Sequence, residues 1–172
     1  MQILLIRHGE SEDDFLDEGY VGSTDLPLTE KGVLQVQKMA KRVLYEFPPE
    51  LIWSSTLKRA KQAAEMLSHS TRCPVEYLDD LIEMQNTEDR LAFRKRGQEV
   101  LSFIKLKSGD FSRIAIVTHG GMITQIVESF LELPTENNIW FHTDYTGIHL
   151  LDYYQDKRII RFSNSTSHLQ GL

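Results

Sequence analysis

The sequence predicts an α/β fold: a three-layer sandwich with a largely parallel central sheet, helices on both faces and a β-hairpin at the C-terminal end. Three observations lead there. Short apolar runs rich in Ile, Val and Leu alternate with longer segments whose apolar residues recur at three- and four-residue spacing. Two of the short runs end in histidine and glycine, Leu5-Ile6-Arg7-His8-Gly9-Glu10 and Val117-Thr118-His119-Gly120-Gly121. Near the end, two β-rich runs flank the polar stretch Tyr154-Gln155-Asp156-Lys157.

The elements follow in order. Gln2 to Ile6 reads as an apolar strand. Thr29 caps a helix that carries Val33, Val36, Ala40, Val43, Leu44 and Phe47 inward, and Pro48-Pro49 stops it. Leu51 to Trp53 is a short strand, with Ser54-Ser55-Thr56 read as the cap of a helix burying Leu57, Ala60, Ala64 and Leu67. Pro74 to Tyr77 reads as another strand, and Glu88 to Lys107 as a helix interrupted or weakened at Gly97. Arg113 to Val117 is a strand, Met122 to Leu131 a helix ended by Pro134. Gly147 to Tyr153 and Arg158 to Phe162 form the hairpin.

Length and composition bound the rest. A chain of 172 residues fits one domain, 1–172, large enough to bury a core without staples. Cys73 is the one cysteine, which rules out an intrachain disulfide and points to the cytoplasm. The first strand begins at Gln2, so no signal peptide is expected, and no apolar run approaches a membrane span. Net charge is −6, from 25 acidic and 19 basic residues, which leaves no electrostatic footprint for nucleic acid. Oligomeric state is open at this point.

Strands that end in glycine release their last side chains at the C-terminal edge of the sheet, where ligands of such folds bind. His8 and His119 are therefore placed in one crevice. Arg7 beside them favours an anion with planar or tetrahedral oxygens over a metal ion. The densest basic cluster, Arg90, Arg94, Lys95 and Arg96, reads mainly as a solvated helix face.

These residues carry a resemblance. Leu5-Ile6-Arg7-His8-Gly9-Glu10-Ser11 resembles the signature of the histidine phosphatase superfamily, which includes phosphoglycerate mutases, α-ribazole phosphatases and many small phosphatases. Tyr20 to Gly32 is similar to the loop and helix start that follow the family's nucleophile, and Ser54-Ser55-Thr56-Leu57-Lys58-Arg59-Ala60 to the segment with its second arginine. Leu81-Ile82-Glu83-Met84 resembles the segment with its acid, Val117 to Gly121 its second histidine, and Asn164 to Leu169 its usual ending.

The resemblance implies a metal-independent phosphomonoester hydrolase with no cofactor, working on a small phosphorylated metabolite through a phosphohistidine. In it His8 attacks phosphorus while neutral. Arg7, Arg59 and His119 surround the transferring group's oxygens. Glu83, kept protonated by burial and by the phosphate charge, gives a proton to the leaving oxygen and then takes one from water. Glu10, Ser11, Asp14 and Gly120 are further candidates for substrate or pocket contact, and Asn164 and His168 for a structural ending. His69, His142 and His149 read as surface or packing residues.

Three departures from the family pattern stand out. Asp14 replaces a phosphate-contacting asparagine and would either face the phosphate or sit in solvent with Glu12 and Asp13. Gln85-Asn86-Thr87-Glu88-Asp89 replaces a Gly-aromatic-Glu-Gly stretch. Residues 84–118, 35 in all, separate Glu83 from His119, too few for the insertion with which mutases hold their substrate. The alternatives are a phosphoprotein or phosphohistidine phosphatase, a weak phosphate-binding relative with Asp14 as the lesion, and a metal site of His8, His119 and Glu83.

Overall fold

The structure, a computed structural model, describes residues 1–22 and 24–171; Ser23 of the loop after the first strand and Leu172 lie outside the described residues. Six strands make one sheet: β1 (Gln2–Arg7), β2 (Leu51–Ser54), β3 (Val75–Tyr77), β4 (Arg113–Thr118), β5 (Ile148–Tyr154) and β6 (Lys157–Ser165). Their order across the sheet is β3-β2-β4-β1-β5-β6. The first four run parallel, while β5 and β6 form the hairpin and join antiparallel beside β1. The α/β class, the largely parallel sheet and the C-terminal hairpin agree with the sequence.

Alternation along the strands explains the layers. Leu4, Ile6, Ile52, Ala115 and Val117 face α1 (Glu30–Glu46) and α2 (Lys58–Thr71), where Val36, Met39, Val43, Ala60, Ala64 and Leu67 complete one core. Ile3, Leu5, Trp53, Ile114 and Ile116 face α3 (Arg90–Lys107) and α4 (Gly120–Phe130), where Phe93, Leu101, Ile104, Ile123 and Phe130 complete the other. Each buried aliphatic side chain contributes about 1.5–3 kcal/mol. A strand with water on neither face therefore reads as a continuous apolar run, as β1 and β4 do.

Two local expectations change. Thr29 caps α1 as read, accepting from Gly32 N–H at 3.0 Å. The cap of α2, however, is not its own serine run: the helix begins after Leu57, and Lys58 N–H donates to Asp25 Oδ1 at 2.6 Å. Gly97 does not interrupt α3, which starts at an Asp89 cap and is continuous. A Cβ at Gly97 would lie 2.4 Å from Gln125 Cβ, so the glycine is what lets α3 pack closely on α4. Among the described residues no helix is long and apolar enough to cross a membrane.

Candidate active site

The register of the sheet builds the site. Arg7 pairs with Thr118 across β1 and β4, so the next residues, His8 and His119, emerge side by side at the C-terminal edge. His8 N–H donates to Thr118 O at 3.1 Å, and the two imidazole centroids lie 5.1 Å apart. Both rings are buried.

Hydrogen bonding fixes the tautomer of His8. Its Nδ1 is 2.7 Å from Gly9 O, which only accepts, so Nδ1 carries the proton. The lone pair is then on Nε2, where Arg59 Nε–H donates at 3.2 Å. Burial, then the Arg59 guanidinium, with Arg7 adding to them, push the His8 pKa down to about 3. His8 is thus a neutral base with a free-standing Nε2 held only by a cation.

His119 has the complementary arrangement. Ser55 Oγ accepts from Leu57 N–H, and its hydroxyl lies 2.8 Å from His119 Nε2. With the hydroxyl proton directed to Nε2, His119 carries its own proton on Nδ1, and Nδ1 is buried with no partner among the described residues. Burial, then its neighbour His8 and the arginines, hold His119 well below its ordinary pKa. Arg7 Nε is a second buried donor without a partner among the described residues, while Arg7 Nη1 donates to Thr143 O at 2.8 Å and the guanidinium lies 4.4 Å from the Tyr145 ring centroid. Orphaned buried donors are rare, and an anion between them is the physical remedy.

Glu83 is tied down rather than solvated. Oε2 accepts from Gly121 N–H and Oε1 from Met84 N–H, each at 2.9 Å. A Cβ at Gly121 would come 2.3 Å from Oε1, which explains the second glycine after His119. The side chain is half-buried. Arg96 holds the loop: it donates to the carbonyls of Asp80, Ile82 and Glu83 and pairs with Glu88 at 2.7 Å. Glu88 in the unusual loop after Glu83 is therefore part of the clamp.

Several readings are corrected. The basic cluster is not a solvated face as a whole, since Arg94 is buried against Glu128, Arg96 is clamped, and Arg90, though exposed, lines a cavity and donates to Asn137 O, leaving Lys95 in solvent. Glu10 is no pocket residue: it accepts from Thr29 Oγ1 and pairs with Lys31, both at 2.9 Å, fastening the loop to α1. Ser11 turns its hydroxyl to Asp14 Oδ2 at 2.8 Å, and its N–H donates to the same oxygen at 3.0 Å. Asp14 is exposed, as one reading had it, but its carboxylate is not bare: partial burial pushes its pKa up, while Ser11 and the Tyr145 hydroxyl outweigh this and hold it low. Asp13, read as a loop acid, sits 3.5 Å from Arg59 Nη1. His149 is buried between the Thr143 and Ser163 hydroxyls, His142 pairs with Asp144, and His69 is exposed. Asn164 bonds Asp144, and His168 bonds Thr146, whose N–H donates to His8 O, so the ending braces the end of β1.

Ser55, Asp13, Thr143 and Tyr145 are the site residues that sequence reasoning missed. Ser55 stood in a recognised segment and was taken for a cap; the others carry no periodic or motif signal. Gly120 lines a cavity of about 800 Å³ that Arg7, Glu83 and Gly121 also border.

The buried histidines predict acid sensitivity. The folded pKa values of His8 and His149, about 3 and about 4, lie below the ordinary 6.5, so between these values the unfolded chain binds more protons. Stability is full above that ordinary value and is lost as pH falls toward the folded values, on the order of 1–3 kcal/mol per group. Thermal unfolding should show a Tm several degrees lower near pH 4.5 than at neutrality; an equal Tm at both would contradict it.

A neutral histidine flanked by arginines at the C-terminal edge of a parallel sheet, with a helix start and a carboxylate opposite, defines a phosphoryl-handling α/β enzyme of the phosphatase class. The model of the histidine phosphatase superfamily (branch 1) matches residues 3–88 and 85–166, and the chain belongs to that superfamily. It is 25% identical to the adenosylcobalamin/α-ribazole phosphatase of Escherichia coli K12 over 197 positions, 96% of each chain. It is 31% identical to a probable phosphoglycerate mutase of Salmonella paratyphi C over 99% of this chain and 96% of that one. A phosphoserine phosphatase of Entamoeba histolytica, solved as a mutant with phosphoserine, superposes with a TM-score of 0.81 at 21% identity, covering 98% of each chain.

Proposed function

We propose that the protein hydrolyses phosphomonoesters of small metabolites, without a metal, through a phosphohistidine on His8. The carrying observation is the fixed tautomer: Nδ1 bound to Gly9 O leaves the Nε2 lone pair beside the Arg59 guanidinium. Nε2 attacks phosphorus in line with the leaving oxygen, forming the N–P bond as the P–O bond breaks. Arg7, Arg59 and the Nδ1–H of His119 take the equatorial oxygens, where charge spreads in a loose transition state. Glu83 gives its proton to the departing alkoxide. Water then attacks phosphorus, Glu83 takes its proton, the N–P bond breaks, and inorganic phosphate leaves with His8 and Glu83 restored.

Specific features weigh against the alternatives. A concave cavity of about 800 Å³ beside the phosphate position gives a small leaving group a place to sit. Residues 84–118 form the Glu83 loop, α3 and β4 and supply no substrate-holding insertion of the mutase kind. A metal cation at His8 would stand beside two fixed guanidinium charges, Arg7 and Arg59, which favour an anion there instead. Asp14, occupied by Ser11, does not present a bare charge to phosphate.

Hydrolysis of p-nitrophenyl phosphate in the presence of chelator tests the reading. Activity is expected to survive EDTA and to be blocked by vanadate, a mimic of five-coordinate phosphorus. Loss with EDTA and recovery with a divalent ion would refute it.

A further inference from the structure

The cavity beside the phosphate position ends in two polar groups that have too few partners. It runs from Arg7 and Glu83 along α4 to Gln125 and Glu128, between Phe93 and Trp140. Gln125 is 8% exposed and Glu128 3%. Among the described residues the Gln125 side-chain amide makes no hydrogen bond, and the Glu128 carboxylate has one contact, Arg94 Nε at 3.3 Å. Gly97, by its missing Cβ, is what seats Gln125 at this depth.

Charge limits what fits. Arg94 is committed to Glu128, to the carbonyls of Gln125 and Leu133 and to the Ser129 hydroxyl, so it offers nothing to a second anion. At this end a carboxylate on the leaving group would meet Glu128 and a cation would meet Arg94; Arg90, also on the cavity wall, is exposed and donates to Asn137 O. An uncharged group is left. Glu128 only accepts, whereas the Gln125 amide both donates and accepts, so that group must carry donors with an acceptor beside them. At the mouth, Trp140 and Ile139 stand 61% and 44% exposed, a flat apolar surface for a ring.

Resting on the hydrolase reading, we propose that the cavity takes the leaving group of a phosphomonoester that is flat, uncharged and heteroaromatic, with N–H donors and a ring acceptor on its outer edge. A purine nucleoside 5′-monophosphate is the simplest such compound. The ring lies on Trp140, its N–H groups reach Glu128 and the Gln125 carbonyl, and its ring nitrogen accepts from the Gln125 amide.

Three alkyl phosphates of similar leaving ability test this: adenosine 5′-monophosphate, glycerol 3-phosphate and 3-phosphoglycerate. The nucleotide's kcat/KM is expected to exceed both others by roughly tenfold or more, and its ratio to glycerol 3-phosphate to fall by roughly tenfold in Gln125→Leu and in Trp140→Ala. Trp140 is exposed, so the second variant leaves the core untouched and carries the test even if the first does not fold. Preference for 3-phosphoglycerate, or ratios that neither substitution moves, would overturn the proposal. p-Nitrophenyl phosphate separates the two readings: if it too is not hydrolysed, the hydrolase reading fails. Calorimetric binding to the unmodified protein then decides the cavity alone. Adenosine 5′-monophosphate bound tenfold tighter than glycerol 3-phosphate supports it, and equal affinity overturns it.

Discussion

Alanine at His8 is expected to abolish turnover, by roughly 10⁴-fold or more, because the substitution removes the atom that forms the covalent bond in the proposed mechanism. Folding should survive, since the backbone N–H and C=O of residue 8 keep their bonds to Thr118 and Thr146. Phosphate or vanadate should still bind, because Arg7, Arg59 and His119 remain. The matching positive result comes from the unmodified protein: brief mixing with labelled substrate and quenching in alkali should leave phosphate on the chain that is released by acid, as a phosphoramidate is. Label on serine or aspartate would overturn the assignment, as would activity of His8→Ala within tenfold of the parent.

What the sequence made legible, and what it did not, divides along local and non-local physics. The ends of β1 and β4 were readable because strands buried on both faces are continuous apolar runs, and glycine marks where they stop. Thr29 was readable because its cap bond reaches only to Gly32. The α2 cap was not: the donor at Lys58 is satisfied by Asp25, 33 positions earlier, and of the two serines that read as caps Ser55 meets His119 while Ser54 bonds the Ser55 carbonyl. The same holds for charges. Arg94, Arg96 and Asp13 sit in runs of like charge that read as solvated faces, yet each is paired with a residue that only the fold brings near. Tyr145 carries no signal at all; its role in holding Arg7 and Asp14 follows from the hairpin's placement beside β1.

Glu83 allows the second large effect to be separated from a change of shape. Gly121 N–H and Met84 N–H each hold one of its oxygens, and Arg96 anchors the loop through three carbonyls, so the carboxyl faces the site in one orientation. Glutamine at this position keeps the length but cannot deliver a proton, and its amide can accept only one of the two N–H bonds. If Glu83 protonates the leaving oxygen, the cost depends on how badly that oxygen needs a proton. For an alkyl phosphate, kcat/KM should fall by ~10²–10⁴-fold in Glu83→Gln, the usual worth of one general acid. For p-nitrophenyl phosphate, whose phenolate leaves unaided, the loss should be far smaller. kcat/KM is the quantity to compare, because it reports the first phosphoryl transfer and excludes hydrolysis of the intermediate, where Glu83 acts as a base for every substrate. Equal losses on both esters would mean that the carboxyl orients the α4 terminus and donates no proton, and the acid would then have to be sought elsewhere on the cavity wall.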